Sequence, residues 1–148
     1  MENNKAIQRV DHVGVVVDDM EGATAFFVAL GMELEGEATI EGPWVDRVNA
    51  IDGVRVDIVT LRTPDGHSRL ELSRFHHPTA FTGGAADAPN MLGLRSIMFA
   101  VDDVDATVAT LGVHGGELIG EVAQYENSYR LCYVRGPEQI IVALAQQL

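Results

Sequence analysis

The sequence predicts an α+β protein built from two copies of one strand–helix–three-strand (βαβββ) module. Residues 17–37 are repeated without a gap 84 positions later, at residues 101–121. Each copy is followed by short apolar segments separated by turns that contain Gly and Pro. A length of 148 residues suits a single domain, residues 1–148. The repeat therefore indicates a module duplicated inside one domain, because solenoids use shorter and more numerous repeats.

The repeat has nine identical residues in 21 positions. They include the residue types that begin and end helices, since Asp caps helix N-termini and Gly ends helices in a left-handed conformation. The identical pairs are Val17/Val101, Asp18/Asp102, Asp19/Asp103, Ala25/Ala109, Gly31/Gly115, Glu33/Glu117, Leu34/Leu118, Gly36/Gly120 and Glu37/Glu121.

Module one is predicted at about residues 9–75. Residues 10–17 are apolar and β-branched, as in a strand, which would place His12, Gly14 and Val16 on one face. A short helix follows Asp18-Asp19 and stops at Gly31, with its apolar residues at helical spacing. Further strands are predicted at residues 33–40, 54–62 and 69–75, whereas residues 44–52 are ambiguous and could form a single helical turn.

Module two is predicted at about residues 93–146, after a Gly-, Ala- and Pro-rich linker at about residues 76–92. It repeats the order of module one. A strand at 94–101 precedes a helix that Asp103 caps and Gly115-Gly116 ends. Strands at 117–125, 128–135 and 140–145 complete the module, with a turn at Gly136-Pro137.

Composition excludes several classes of partner. The chain has 10 Lys and Arg against 22 Asp and Glu, a net charge of −12, so it lacks the basic stripe of a nucleic-acid-binding protein and is disfavoured at an anionic membrane surface. No apolar run is long enough for a membrane helix.

The single cysteine, Cys132, suits a reducing compartment. The N-terminal residues lack the apolar core of a signal peptide, so we expect a cytoplasmic protein.

The chain resembles the vicinal oxygen chelate superfamily, the glyoxalase, bleomycin-resistance and extradiol-dioxygenase group. The segments that carry the resemblance are VDHVGVVVDDMEGATAFF, TPDGHSRLELSRF, LRSIMFAVDDVDA and YVRGPEQIIVALAQQL. The resemblance implies a paired half-barrel with a U-shaped cleft, a small-molecule substrate or ligand, and a divalent metal held by one residue from the first and last strand of each module. We expect a homodimer as the working unit.

The four metal positions of the family fall on His12, Glu71, Ser96 and Ala143. His12 and Glu71 have ligand side chains, whereas Ser96 and Ala143 stand where the family usually has His and Glu. A catalytic zinc usually has three protein ligands, so two predict weak metal binding or none unless another residue contributes. The candidates for a third ligand are His76, His77, Glu121 and Tyr125. No cofactor other than this divalent metal is expected.

His12 and Glu71 are also the predicted catalytic residues. A neutral imidazole offers a lone pair near neutral pH, and strand alternation turns Glu71 away from the apolar side occupied by Leu70 and Leu72. The residues predicted to contact a substrate are Ser96, Arg69, Trp44, Arg47, Tyr129 and Met98, because arginines and aromatic rings hold carboxylate-bearing or planar ligands.

Two functions remain open on the sequence alone. The first is an isomerase, epimerase or lyase that removes a proton next to a carbonyl, with Glu71 or His12 as base. Retention of both residues favours this enzyme. The second is a metal-free protein that binds or sequesters a small molecule, as bleomycin-resistance proteins do. The loss of two ligands and the apolar character of module two favour this alternative.

Overall fold

The chain folds into two four-stranded sheets with accompanying helices, which confirms the predicted α+β class with two βαβββ modules. The computed structural model describes residues 9–83, 88–92 and 94–148. The first sheet contains β1 (Val13–Val16), β2 (Glu33–Glu41), β3 (Arg55–Arg62) and β4 (Arg69–His77), and the second contains β5 (Ser96–Ala100), β6 (Glu117–Tyr125), β7 (Tyr129–Arg135) and β8 (Ile141–Gln147). The helices are α1 (Met20–Leu30), α2 (Pro43–Asn49) and α3 (Val104–Val113), with a short 3₁₀ turn at Pro137–Gln139. Residues 84–87 of the predicted linker and Gly93, where module two was predicted to begin, lie outside the described residues.

The two sheets have the same strand order and the same register. The orders are β1-β4-β3-β2 and β5-β8-β7-β6, with the outer strands β1 and β5 parallel to their neighbours. Gly14 lies opposite Glu71 in the first sheet, and Met98 lies opposite Ala143 in the second. Because Met98 is 84 residues after Gly14, Ala143 is the structural equivalent of Glu71. Ser96 is the equivalent of His12 by the same count.

Helices α1 and α3 begin at equivalent positions, as the repeat predicts, and end within one residue of equivalent positions. Each begins immediately after an aspartate, Asp19 or Asp103. Asp103 caps α3 by accepting a hydrogen bond from the Ala106 backbone N–H at 3.1 Å. Gly31 and Gly115 follow the helices with φ values of 125° and 85°, a backbone conformation that favours glycine.

The described residues group into two compact units. The first unit contains residues 9–20 and 31–80, and the second contains residues 21–30 together with the described residues after Ala80. Helix α1 thus comes from the first sequence repeat but belongs mainly to the second unit. Its Phe27 is fully buried, with the ring centroid 5.2 Å from that of Phe26 and 6.5 Å from that of Phe99 on β5. The contact between Phe27 and Phe99 attaches the helix to the second sheet.

The first sheet has two different faces. Val15, Leu61, Leu70 and Leu72 are buried on one face. The opposite face carries Glu71 and is called here the Glu71 face. One end of it is covered by α2, and the apolar residues packed there are Val45, Val54, Val56, Ile40, Ile58 and Phe75. The Glu71 face therefore has an apolar end beneath α2 and a polar end near the start of β4.

Two local predictions differ most from the structure, and the other strand bounds differ by no more than two residues. β1 begins at Val13 rather than at residue 10, because its ladder starts where Val13 meets Leu70 on β4, so His12 precedes the strand. The ambiguous segment is the helix α2, which Pro43 begins and which ends at Ala50 in a left-handed conformation. Only Val45 of α2 is buried, so the segment lacked the apolar periodicity that predicts helices. Within the described residues, no helix is both long and apolar enough to cross a membrane.

Asp57 links three strands of the first sheet. Its carboxylate accepts hydrogen bonds from Thr39 Oγ1 at 2.7 Å and Arg74 Nη2 at 3.2 Å, and lies 2.7 Å from His76 Nε2. These hydrogen bonds, with that from Thr39 the largest cause, lower the pKa of Asp57 to about 2. His76, a candidate third metal ligand, is therefore engaged with Asp57 and the β-sheet.

We expect Asp57→Asn to reduce the loss of stability in acid. A carboxylate whose folded pKa is depressed stabilises the fold above its unfolded pKa, and this contribution is lost between about pH 4 and pH 2. With solvent screening, the contribution is about 1 kcal/mol. Chemical unfolding at pH 4.5 and pH 3 should show a smaller difference for Asp57→Asn than for the unsubstituted protein. Asp52→Asn, on an exposed turn, is the control, and an equal change in both variants would contradict the assignment.

Candidate functional site

His12 and Glu71 lie together at the polar end of the Glu71 face. His12 precedes β1, and Glu71 is directed to this face because its neighbours Leu70 and Leu72 are buried on the other. His12 Nε2 lies 3.4 Å from Glu71 Oε2, and the two side chains are 38% and 30% exposed. Both groups are therefore close enough to share a proton and open enough to meet a small molecule.

Asp11 holds the other side of the His12 ring. Its Oδ2 lies 2.8 Å from His12 Nδ1, and its Oδ1 accepts a hydrogen bond from Arg9 at 3.2 Å. The hydrogen bond with His12, followed by that with Arg9, lowers the pKa of Asp11 below its ordinary value. Asp11 thus remains an anion that fixes the orientation of the imidazole.

This geometry assigns the tautomer of neutral His12. A nitrogen 2.8 Å from a carboxylate oxygen must carry the hydrogen, because two lone pairs at that separation repel each other. The hydrogen therefore lies on Nδ1, and Nε2 directs its lone pair toward Glu71. An imidazole in this state can accept a proton at Nε2.

A second charged pair lies on the same face. Arg69 donates from Nε to Glu35 Oε2 at 2.7 Å and from Nη2 to Glu35 Oε1 at 3.1 Å. This two-pronged hydrogen bond lowers the pKa of Glu35 and raises that of Arg69. Of the residues predicted to contact a substrate, Arg69 is the one that shares this face with His12 and Glu71.

The other predicted contact residues belong to other elements of the chain. Trp44 and Arg47 are on the exposed side of α2, with Trp44 53% exposed. Ser96 and Met98 are exposed on β5, and Tyr129 is exposed on β7, all in the second unit. Their contribution to a ligand site stays a prediction.

The second sheet presents an apolar face at the positions equivalent to the Glu71 face. Ala143, in place of Glu71, is fully buried between Met98 and Tyr133, its register partners on β5 and β7. Tyr125 and Tyr129 are partners further along this face and are 60% and 44% exposed. This part of the face is thus lined by aromatic and aliphatic side chains.

The residues present do not fit the metal site that the resemblance implies. His12 and Glu71 offer two ligands, whereas the equivalent positions hold a serine and a buried alanine. Within residues 9–83, 88–92 and 94–148, no three or more His, Cys, Asp or Glu side chains form a cluster suited to a metal ion. His77, another candidate third ligand, has its Nδ1 2.7 Å from the Gly53 carbonyl oxygen. We therefore derive no catalytic step that uses a metal.

Sequence reasoning missed Asp11 and Glu35. Asp11 adjoins His12 in the VDHV motif, so adjacency was the available signal, but neighbouring residues in a strand point to opposite faces. Asp11 reaches His12 because both precede β1. Glu35 lies at the bulge in β2, where the register shifts between Leu34 and Gly36. A bulge redirects a side chain in a way that alternation does not predict.

The two sheets, with equal strand orders and one helix from each sequence repeat, define a duplicated βαβββ fold. A family model described as Glyoxalase/Bleomycin resistance protein/Dioxygenase superfamily matches residues 11–133. The chain therefore belongs to this superfamily, which confirms the resemblance. A comparison with curated proteins finds no match.

Solved structures support the same membership. A glyoxalase family protein from Bacillus cereus is 45% identical, with a TM-score of 0.94 over 100% of this chain and 99% of that one. An antibiotic-binding protein from Streptomyces is 22% identical, with a TM-score of 0.61 over 97% of this chain and 99% of that one. Glyoxalase I from Leishmania major is 18% identical, with a TM-score of 0.65 over 95% of this chain and 87% of that one. The last two comparisons show the fold alone.

Proposed function

We propose that this protein is a glyoxalase-like enzyme that removes a proton from a carbon next to a carbonyl and catalyses an isomerisation, epimerisation or elimination. The observation that carries the proposal is the Asp11–His12–Glu71 arrangement, in which an oriented imidazole faces a carboxylate at 3.4 Å. General acid–base catalysis needs a base within hydrogen-bonding reach of the substrate and a second group to return the proton. His12 and Glu71 supply both.

In the proposed reaction, His12 Nε2 accepts the proton. The C–H bond breaks, its electron pair forms the enolate double bond, and the negative charge moves to the carbonyl oxygen. Return of the proton from His12 or Glu71 to the same or a neighbouring carbon gives an epimer or an isomer. Loss of a leaving group from the enolate would instead give an elimination product.

The internal repeat supports a functional role for this pair. Equivalent positions in the two modules have the same backbone environment, yet His12 and Glu71 become Ser96 and Ala143 in module two. The fold therefore does not require a histidine and a glutamate at these positions. A partly exposed polar pair also contributes little to stability, so its presence in one module calls for another explanation.

Solvent deuterium exchange tests the proposal. Protein treated with a chelator would be incubated in D₂O with a panel of small aldehydes, ketones, 2-oxo acids and thioesters, and the C–H signals next to the carbonyl followed by proton NMR. We expect at least one compound class to exchange faster than in the His12→Gln variant. Equal exchange with both proteins for every class would refute the proposed chemistry.

Asp11→Asn should reduce the exchange rate about 10- to 100-fold, because loss of the partner that orients a histidine has effects of this size. The amide of Asn can present an N–H to Nδ1 and so favour the opposite tautomer, whereas Asp11→Glu should restore part of the rate. Nitrogen-15 NMR of His12 provides a direct readout, with Nδ1 protonated in the unsubstituted protein. An unchanged tautomer in Asp11→Asn would remove Asp11 from this positioning role.

A second candidate function is metal-free binding of an aromatic or amphipathic compound. The tyrosines of the second sheet favour it, since exposed aromatic rings beside small apolar residues suit planar ligands. The Streptomyces antibiotic-binding protein offers a precedent within the same fold. A binding protein would keep its ligand-induced rise in melting temperature when Glu71 is changed to Gln and would catalyse no exchange.

The proposed working unit is a homodimer in the cytoplasm. Support comes from the resemblance to the superfamily and from the single cysteine, Cys132, which is buried and suits a reducing compartment. Light scattering on the purified protein should give twice the chain mass of 16.0 kDa. A mass of one chain would contradict the dimer.

A further inference from the structure

The ion pair between Arg69 and Glu35 joins two strands that are not neighbours in the sheet. Arg69 lies on β4 and Glu35 on β2, and β3 separates these strands in the sheet. The Arg69 side chain therefore crosses β3 over the Glu71 face to reach the residue at the β2 bulge. Each side chain is 32% exposed. Bulges beside active sites often redirect a side chain in this way.

Comparison of the two modules distinguishes the Arg69–Glu35 pair from the neighbouring Arg62–Glu33 pair. Arg62, the register partner of Arg69, pairs with Glu33 at 3.2 Å. In module two, Arg62 and Glu33 correspond to Arg135 and Glu117, which are again register partners. The residue types at these two register positions are therefore the same in both modules.

Arg69 and Glu35 are replaced together in module two. Ile141 occupies the position of Arg69, opposite Ser96 in the ladder, and Ile119 lies 84 residues after Glu35. Both charges thus give way to isoleucine, and Ile141 is fully buried. The Arg69–Glu35 pair, like the His12–Glu71 pair, belongs to the first module alone.

Arg69 lies close enough to His12, the proposed base, for one small molecule to contact both. Residues two apart on a strand are about 6.6 Å apart, so Arg69 and Glu71 occupy successive positions on one face. Continuing the β1–β4 register by one residue places His12 beside Arg69. A molecule a few bonds long could therefore contact the guanidinium and the imidazole together.

We propose that the site takes a small carboxylic acid, whose carboxylate displaces Glu35 from the guanidinium of Arg69. Glu35 already presents a carboxylate in the two-pronged geometry that an arginine offers such a ligand. This displacement replaces one anion on Arg69 by another. An anionic ligand can therefore bind although the chain has a net charge of −12. The inference rests on the proposed function for its reacting end and adds the substrate class.

Binding of 2-oxobutanoate and its methyl ester, measured by calorimetry or protein NMR, tests the inference. The unsubstituted protein should bind the acid and not the ester. Glu35→Gln should lower the Kd for the acid about ten-fold, because it removes an internal competitor held by charge-assisted hydrogen bonds. Arg69→Gln should abolish binding of the acid. Glu33→Gln, which makes the same change at the neighbouring pair, should leave the Kd unchanged.

Three results would overturn the inference: equal affinity for acid and ester, the same Kd for Glu35→Gln and Glu33→Gln, or no binding of the acid to any variant. Deuterium exchange distinguishes failure of the carboxylate site from failure of the proposed enzyme. Binding of the acid that depends on Arg69, without exchange in any compound class, would refute the enzyme and retain the carboxylate site. Exchange in an uncharged compound, with no binding of the acid to any variant, would retain the enzyme and refute the carboxylate site.

Discussion

Changing Glu71 or His12 to Gln lowers the rate of deuterium exchange by about 10²- to 10⁴-fold, the range expected when a general acid or base is removed. Glutamine approximates the size of both side chains but cannot carry the transferred proton. Because the two groups form one proton-transfer unit 3.4 Å apart, the double variant should be little slower than the slower single variant.

His114→Gln is the matched control for this experiment. His114 is exposed at the end of α3 in the second unit, and its replacement should leave the exchange rate unchanged. The side chains of His12 and Glu71 are both partly exposed, so their variants should unfold at denaturant concentrations close to that of the unsubstituted protein. A fall in rate that follows a fall in stability, or one that His114→Gln reproduces, would contradict a catalytic role.

Phe27→Ala destabilises the protein by about 3 to 5 kcal/mol, the usual cost of removing a fully buried phenylalanine. The side chain is 0% exposed and contacts the rings of Phe26 and Phe99. Its loss leaves a cavity between α1 and β5 and removes two aromatic contacts. Chemical unfolding at neutral pH measures the change, and amide hydrogen exchange should increase along β5 although the substitution lies in the first sequence repeat.

Val28→Ala tests whether the effect depends on burial rather than on the helix itself. Val28 is the next residue of α1 and is 47% exposed, so the same change to alanine should alter the free energy of unfolding by about 0.5 kcal/mol or less. Equal destabilisation by both variants would mean that α1 is not attached to the second sheet through Phe27.

The elements of the fold were predictable because their signals are local. Each of the two long helices begins directly after an aspartate, Asp19 or Asp103, and is followed by a glycine at positive φ, Gly31 or Gly115. Strand β6 has the bounds that the sequence predicts. The assignment of α1 to the second unit was not predictable. It depends on the contact between Phe27 and Phe99, which are 72 residues apart, and helical periodicity identifies the apolar side of a helix without naming its partner.

The candidate site was likewise predictable only in part. Alternation placed Glu71 opposite the buried leucines, and the resemblance paired it with His12. The orientation of the imidazole by Asp11 depends on side-chain conformations just before a strand. Likewise, the pairing of Glu35 with Arg69 depends on a bulge and on a side chain that crosses an intervening strand. Neither feature follows from period-two alternation.

The membership of α1 in the second unit constrains how the chain can be divided. A fragment ending at Ala80 would carry Phe26 and Phe27 without the sheet that buries them, and the complementary fragment would lack the helix that covers Phe99. Each fragment would expose apolar surface that the other normally covers, which favours reassociation or aggregation. During synthesis on the ribosome, α1 emerges long before β5. Phe27 therefore lacks its packing partner Phe99 until the second half of the chain is made.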